Sequence, residues 1–275
     1  MRITFLSDNK TEKSCCMAEW GLSVLIETRG KTLLFDVGAS PLFAENAKAL
    51  GIDLSEVEAV VVSHGHYDHT EGMEAFCKIN KTAPIYIHKD AVSPAYGLAR
   101  DGSVEDENCG IRWRRSFVDE IKDRCVFTEQ THFINEDMAV SGDISSLSPM
   151  TEIFYRPVSD TKKLKPDDMR HEQILVVRED EGIHIFSGCS HTGVLSAIAR
   201  AKELFPGEKI VSLTAGMHLY PLSAEKTKDI VEEIANMGIE YVFPVHCTGM
   251  RAIMMFKERM GKSCKIAAAG DAYEC

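Results

Sequence analysis

The chain has 275 residues, 44% of them hydrophobic, and carries 31 Lys and Arg against 42 Asp and Glu, a net charge of −11. That length and apolar content can bury a sizeable core with no long linker or low-complexity tract, so one domain over residues 1–275 is the simplest count. An acidic balance repels polyanions, no apolar run reaches the length of a membrane-spanning helix, and residues 1–8 turn polar too soon for a secretory signal. Neither nucleic acid nor a membrane is therefore an expected partner, and the cytoplasm is the default location.

In chain order, residues 3–6, 22–26 and 32–35 read as strands and 41–50 as a helix with Phe43, Ala47 and Leu50 on one face. Residues 57–62, apolar and β-branched at Val60, Val61 and Val62, have the composition of a fully buried strand. They run into Ser63-His64-Gly65-His66-Tyr67-Asp68-His69, which places three imidazoles and a carboxylate within six residues. Gly65 lets the backbone turn sharply there, so these side chains can converge on one point. Neutral imidazole nitrogens with a carboxylate suit Zn²⁺, Fe²⁺ or Mn²⁺, and their number exceeds what one catalytic zinc with an open water position requires. Two divalent ions are the expectation, zinc first. Solvent-facing histidines on a polar loop would explain one His, but not H-x-H-x-D-H behind a buried strand.

A helix over 70–79 and a strand over 85–88 come next. Residues 90–170 then lack sustained periodicity and read as a substrate-loop insert. Within it, Asn108-Cys109-Gly110-Ile111-Arg112-Trp113-Arg114-Arg115 and Lys162-Lys163-Leu164-Lys165 are basic. Because a guanidinium fork suits phosphate, Arg112, Arg114 and Arg115 are candidate substrate-binding residues for an anionic small molecule, although residues 90–170 as a whole count eleven Lys and Arg against sixteen Asp and Glu. The second half alternates strands at 174–177, 183–187, 210–213 and 241–245 with helices at 194–204, 224–237 and 250–260, an α/β pattern. Asp36, His64, His191 and His246 each lie at or just past a strand's C-terminal end. The nine cysteines are odd in number and have no C-x-x-C spacing, so reduced thiols are expected. Only Cys189 and Cys247 fall inside motifs.

His64-x-His66-x-Asp68-His69, with Leu33-Leu34-Phe35-Asp36-Val37-Gly38 upstream and Pro244-Val245-His246-Cys247-Thr248-Gly249 near the C-terminus, resembles the metallo-β-lactamase superfamily. Gly188-Cys189-Ser190-His191-Thr192-Gly193, Ala215-Gly216-Met217-His218-Leu219 and His246-Cys247-Thr248-Gly249 are similar to the branch containing the archaeal dihydropterin ribofuranosyl-aminobenzene phosphate synthases and many metal-dependent hydrolases. The resemblance implies a four-layer αββα sandwich. It implies one ion on His64, His66 and His191 and a second on Asp68, His69 and His246, with Asp36 behind a ligand histidine, holding its ring. Asp68 and His218 would belong to the catalytic groups, His218 facing the substrate or acting as a further ligand. One departure stands out: the strand ending Ile185-Phe186-Ser187-Gly188 leads to Cys189, where the superfamily usually has an Asp bridging two ions. A thiolate there is a softer single-atom ligand that makes the second ion less secure. A buried core thiol is the alternative reading. The histidine usually found before this strand would be His171 or, preferably, His191.

A metal-activated water attacking an ester, phosphodiester or lactone-like bond of a small molecule is the leading reaction. The resemblance also implies a phosphoribosyl-transferring synthase of pterin-type cofactor biosynthesis, forming a carbon–carbon bond. A noncatalytic metal-binding module with a saturated coordination shell is a third reading. A flavodiiron-like redox enzyme would want an acidic residue at His66 and a flavin domain after it. The oligomeric state is not legible.

Overall fold

The computed structural model describes all residues except 100, 102, 148–153 and 159–162, and the side chain of residue 106. The chain opens with β1 (Arg2–Ser7), β2 (Ser23–Thr28), β3 (Lys31–Phe35), α1 (Leu42–Ala49), β4 (Ala59–Val61), α2 (Tyr67–Thr70), α3 (Met73–Ile79) and β5 (Ile85–His88). Its middle holds β6 (Tyr96–Leu98), β7 (Val104–Asn108), α4 (Arg115–Ile121), β8 (Cys125–Thr128), β9 (His132–Asn135), β10 (Met138–Val140), β11 (Phe154–Pro157) and β12 (Leu164–Pro166). Then come β13 (Leu175–Glu179), β14 (Gly182–Ser187), α5 (Val194–Leu204), β15 (Ile210–Gly216), α6 (Ala224–Ala235), β16 (Tyr241–Val245), α7 (Met250–Met260) and β17 (Ala272–Glu274).

Two large sheets follow from this order, β17-β1-β2-β3-β4-β5-β8 and β16-β15-β14-β13-β10-β9. Alternation along each strand assigns its two faces. In β3, Leu33 and Phe35 point into a layer shared with Phe186, Phe243 and Val245 of the second sheet, whereas Leu34 joins Phe43, Ala47, Met73 and Phe76 of the covering helices. In β14, Phe186 points between the sheets while Ile183 and Ile185 meet Val194, Ile198, Val231 and Phe256 on the other side. Each fully buried side chain of this size stabilises the fold by about 1.5–3 kcal/mol relative to exposure. Helices outside and two sheets inside make the four-layer αββα sandwich.

The expected insert at 90–170 is revised. β8 pairs in parallel with β5, and β9 and β10 extend the second sheet through β13, so part of that stretch belongs to the main layers. Among the described residues, β6, β7, β11 and β12 stand apart, as a four-stranded sheet. β7 (VEDEN) and β12 (LKP) are short and polar, with no apolar alternation to betray a strand. Lys162 of the second basic run lies outside the described residues. Among the described residues no helix is long and apolar enough to cross a membrane.

Candidate metal centre

Parallel strands of both sheets end on one rim. Asp36 follows β3, His64 follows β4, Cys189 and His191 follow β14, His218 follows β15, and His246 follows β16. Four residues here adopt left-handed backbone without being glycine: Asp36 (φ 58°), Ser190 (53°), His218 (47°) and His246 (49°). Such conformations cost about 1–3 kcal/mol each and persist where the surroundings over-determine them. The loops also press together, since a Cβ on Gly188 would sit 2.1 Å from Ser63 Oγ.

Hydrogen bonds orient three of the rings. Asp36 Oδ1 accepts from the Ser63 N–H at 2.7 Å, and Oδ2 accepts from the Ser63 hydroxyl at 2.7 Å and from His69 Nδ1 at 2.6 Å. With its hydroxyl hydrogen so committed, Ser63 Oγ accepts from His64 Nδ1 at 2.8 Å. His246 Nδ1 donates to Asn9 Oδ1 at 2.9 Å, while Asn9 Nδ2 donates back to the His246 carbonyl. In each case Nδ1 carries the proton and Nε2 is left to face the centre. Glu172 holds the loop beyond β14, accepting from the N–H groups of His191 and Thr192 and from the Thr192 hydroxyl, all at 2.7 Å. Burial pushes its carboxyl pKa up.

Facing these anchors are atoms with no partner. His66 Nε2, His246 Nε2 and both ring nitrogens of His191 and His218 are buried without a hydrogen bond. His246 Nε2 lies 3.2 Å from Asp68 Oδ2 yet out of hydrogen-bonding geometry, as expected of two groups aimed at a common point. Orphaned buried polar atoms cost about 1–3 kcal/mol each, which a cation would offset. Ligand atoms within 4.8 Å of one another form three groups: Asp68, His69, Cys189 and His246; His64, Cys189 and His191; and Cys189, His218 and Cys247. The donor chemistry fits divalent ions such as zinc. Burial lowers the pKa of His64, His66 and His191, His66 to about 3, and so favours the neutral rings a cation requires. Burial also opposes charge on His69, but Asp36 and Asp68 outweigh it and hold that ring at about 9. For Asp68, burial is outweighed by His69 and His246, which keep its carboxylate ionised.

The geometry brings His64, Asp68, His69, Cys189, His191 and His246 together, with Asp36 behind them. Cys189 Sγ, 3.1 Å from His69 Nε2, is common to all three groups. His66 departs from the expectation: its Nδ1 contacts His64 Nε2 at 3.1 Å and it joins none of the three groups. His171 is no substitute for His191, because its Nδ1 accepts from the Gly65 N–H and its Nε2 meets Asp167 at 3.3 Å. The three arginines lie elsewhere. A cavity of about 190 Å³ opens on the centre, and neither Arg112, Arg114 nor Arg115 lines it. Arg112 lies over the Tyr67 ring and bonds Glu107, and Arg114 pairs with Glu74, so partners on the surface hold both away from the cavity. Trp20, Tyr67, Phe154 and Tyr220 line it instead. Sequence reasoning missed these four along with Ser63, Asn9 and Glu172; only the adjacency of Ser63 to His64 offered a signal.

A metallo-beta-lactamase superfamily model matches residues 21–246. The chain belongs to that superfamily. Tm1679, a metal-dependent hydrolase of the beta-lactamase superfamily, has a similar structure, with a TM-score of 0.84 and 30% identity over 100% of this chain and 99% of its own. A Methanocaldococcus jannaschii 7,8-dihydropterin-6-methyl-4-(beta-D-ribofuranosyl)-aminobenzene-5'-phosphate synthase is 26% identical over 285 aligned positions, 97% of this chain and 94% of the synthase. An uncharacterized protein of the same organism, MJ0448, is 27% identical over 252 residues, 91% and 92% of the two chains. Superfamily members bind metal ions, and the clustered His, Asp and Cys side chains provide groups for doing so here.

Proposed function

We propose that the protein is a metal-dependent hydrolase that cleaves an ester, phosphodiester or lactone-like bond of a small molecule. The observation that carries this reading is that buried, partnerless ring nitrogens open onto an accessible cavity instead of a closed shell. A purely structural ion would be sealed by its ligands. His64 and His191, with the unpartnered His66 Nε2 beside them, would hold one divalent ion, and Asp68, His69, His246 and Cys189 a second, zinc in first place. Such an ion acts as a Lewis acid and brings the pKa of water toward about 7. Asp36, through its bond to His69 Nδ1, keeps that ring turned inward, and Ser63 and Asn9 do the same for His64 and His246. Asp68 and the His218 ring both line the cavity, where Asp68 would orient the attacking water and His218 would face the substrate. Trp20 and Tyr220, their rings 5.7 Å apart and half exposed, flank the entrance and shield the site from bulk water.

The synthase reading has the 26% identical archaeal synthase in its favour. Against it, the described lining residues include no Lys or Arg to receive a diphosphate-bearing donor. The test is a screen of phosphodiesters, lactones and thioesters with metal content measured alongside. Turnover should vanish on chelation and return with Zn²⁺, Mn²⁺ or Fe²⁺. Full turnover after verified metal removal would overturn the reading, as would product formed only from a phosphoribosyl donor and an aminobenzoate.

A further inference from the structure

We propose that Cys189, Cys247 and His218 form a third cation site, a set of two thiolates and one imidazole that takes zinc or another thiophilic divalent ion. Their ligand atoms lie within 4.8 Å of one another. All three residues are buried, at 3%, 1% and 5% exposure. The His218 ring is the independent sign of a ligand, since both of its nitrogens are shut off from solvent and neither makes a well-formed hydrogen bond, the group interacting with the ring being the Cys247 thiol itself. Neither thiol is core filler. Cys77 and Cys264 each sit inside an apolar cluster, whereas Cys189 and Cys247 belong to none of the hydrophobic clusters. Space is kept for the Cys247 sulfur: a Cβ on Gly216 would come within 3.0 Å of Sγ. The backbone N–H of His218 donates to that sulfur at 3.2 Å, fixing it beside the ring that would share its ion.

The donor set decides the kind of ion. Two sulfurs and a nitrogen match a zinc site that keeps its fourth position open, and soft thiolates favour zinc over manganese or magnesium. On binding, each thiol gives up its proton to solvent and its sulfur lone pair to the ion. Cys189 also belongs to the set of Asp68, His69 and His246, so its sulfur is the atom two neighbouring ions would share. All three side chains line the cavity, which gives the ion an entry path. The inference stands on these atoms and holds whether or not the reaction is hydrolysis.

The test uses the full-length chain. Crystals loaded with Zn²⁺ should show an anomalous peak about 2.3 Å from Cys247 Sγ and about 2.0–2.1 Å from a His218 ring nitrogen. Zinc peaks confined to the other two ligand sets would overturn the proposal. In solution, Co²⁺ loading should give a thiolate-to-cobalt absorption that weakens in Cys247→Ser, and both Cys247→Ser and His218→Gln should bind about one ion fewer per chain. Folded variants with unchanged cobalt content and absorption would equally overturn it. If Cys247→Ser fails to fold, the zinc crystal of the unaltered chain and His218→Gln decide the question.

Discussion

Two regions of this molecule bury histidines, and they treat them differently. Outside the three ligand groups, His88 bonds Asp143 with one nitrogen and accepts from the Asp90 N–H with the other, His171, beside the rim, is held by the Gly65 N–H and Asp167, and His184 meets Ser212 at 2.8 Å. These rings are part of the fold's own hydrogen bonding. At the rim, His191 and His218 have two idle nitrogens each, and His66 and His246 have one. Both environments remove the ring from water, so burial alone does not mark a functional histidine. An unspent nitrogen marks His66, His191, His218 and His246, whereas His64 and His69 meet partners with both nitrogens and are marked by the groups around them.

The comparison is tested hardest at Asp36, the carboxylate that holds both His69 and Ser63. Replacing it with Asn keeps the size and tolerates the left-handed backbone, but turns the Oδ2 acceptor of His69 and Ser63 into a donor facing donors. Metal affinity should fall about 10- to 100-fold, as when a ligand's supporting hydrogen bond is lost. Competition against a chromophoric chelator measures this. Asn9→Ala removes one neutral acceptor from one ring and should sit at the low end of that range. Wild-type affinity in Asp36→Asn would mean that the anchored rings need no anchoring.

The next effect separates the regions directly. His171→Leu strips the Gly65 N–H of its acceptor and should destabilise the chain by about 1–3 kcal/mol with or without metal. His191→Leu removes a ring whose two nitrogens already lack partners, so the metal-free protein should lose almost nothing, while the rise in melting temperature on adding Zn²⁺ shrinks. Thermal melts with chelator and with zinc give the four values needed. Equal destabilisation of the two metal-free variants would erase the distinction between the regions.

How much of this was legible in the sequence follows from distance along the chain. The cluster from His64 to His69 is local, and a buried strand followed by dense ligands announces a site. His191 and His246 were legible because each follows an apolar strand inside a motif. The partners that orient the rings were not: Asn9 lies 237 residues from His246, and Glu172 grips His191 through a backbone N–H that has no side-chain signature. The aromatic lining was hidden for the same reason, since Trp20, Phe154 and Tyr220 meet only when the loops assemble. The arginines misled because charge in sequence does not reveal that Glu74 and Glu107 already hold it. The central strands of the main layers were readable from apolar runs, whereas β8, β9, β10 and β17 at their edges were not, and the small sheet failed that test because β7 and β12 are short and polar.

The last prediction concerns acid. His184, in the middle of β14, is almost fully buried, and burial pushes its ring pKa from 6.5 down to about 4, Glu179 opposing only in part. Above pH 6.5 the ring is neutral in the folded and unfolded chain alike, and its contribution to stability is fully present. Between 6.5 and about 4 the unfolded chain accepts a proton that the folded chain refuses, so stability falls as pH falls, and below about 4 both forms are charged and the loss is complete. His184→Gln retains a polar group toward Ser212 and does not titrate, so its melting temperature should fall less steeply across that window than the parent's. Because His184 lies outside the three candidate ligand groups, the difference between the two slopes should be the same in zinc and in chelator. The rim histidines should behave otherwise, their acid sensitivity growing when zinc is bound, since protons then compete with the ion. A slope difference for His184→Gln that appears only with zinc would show that this satisfied histidine is tied to the metal centre after all.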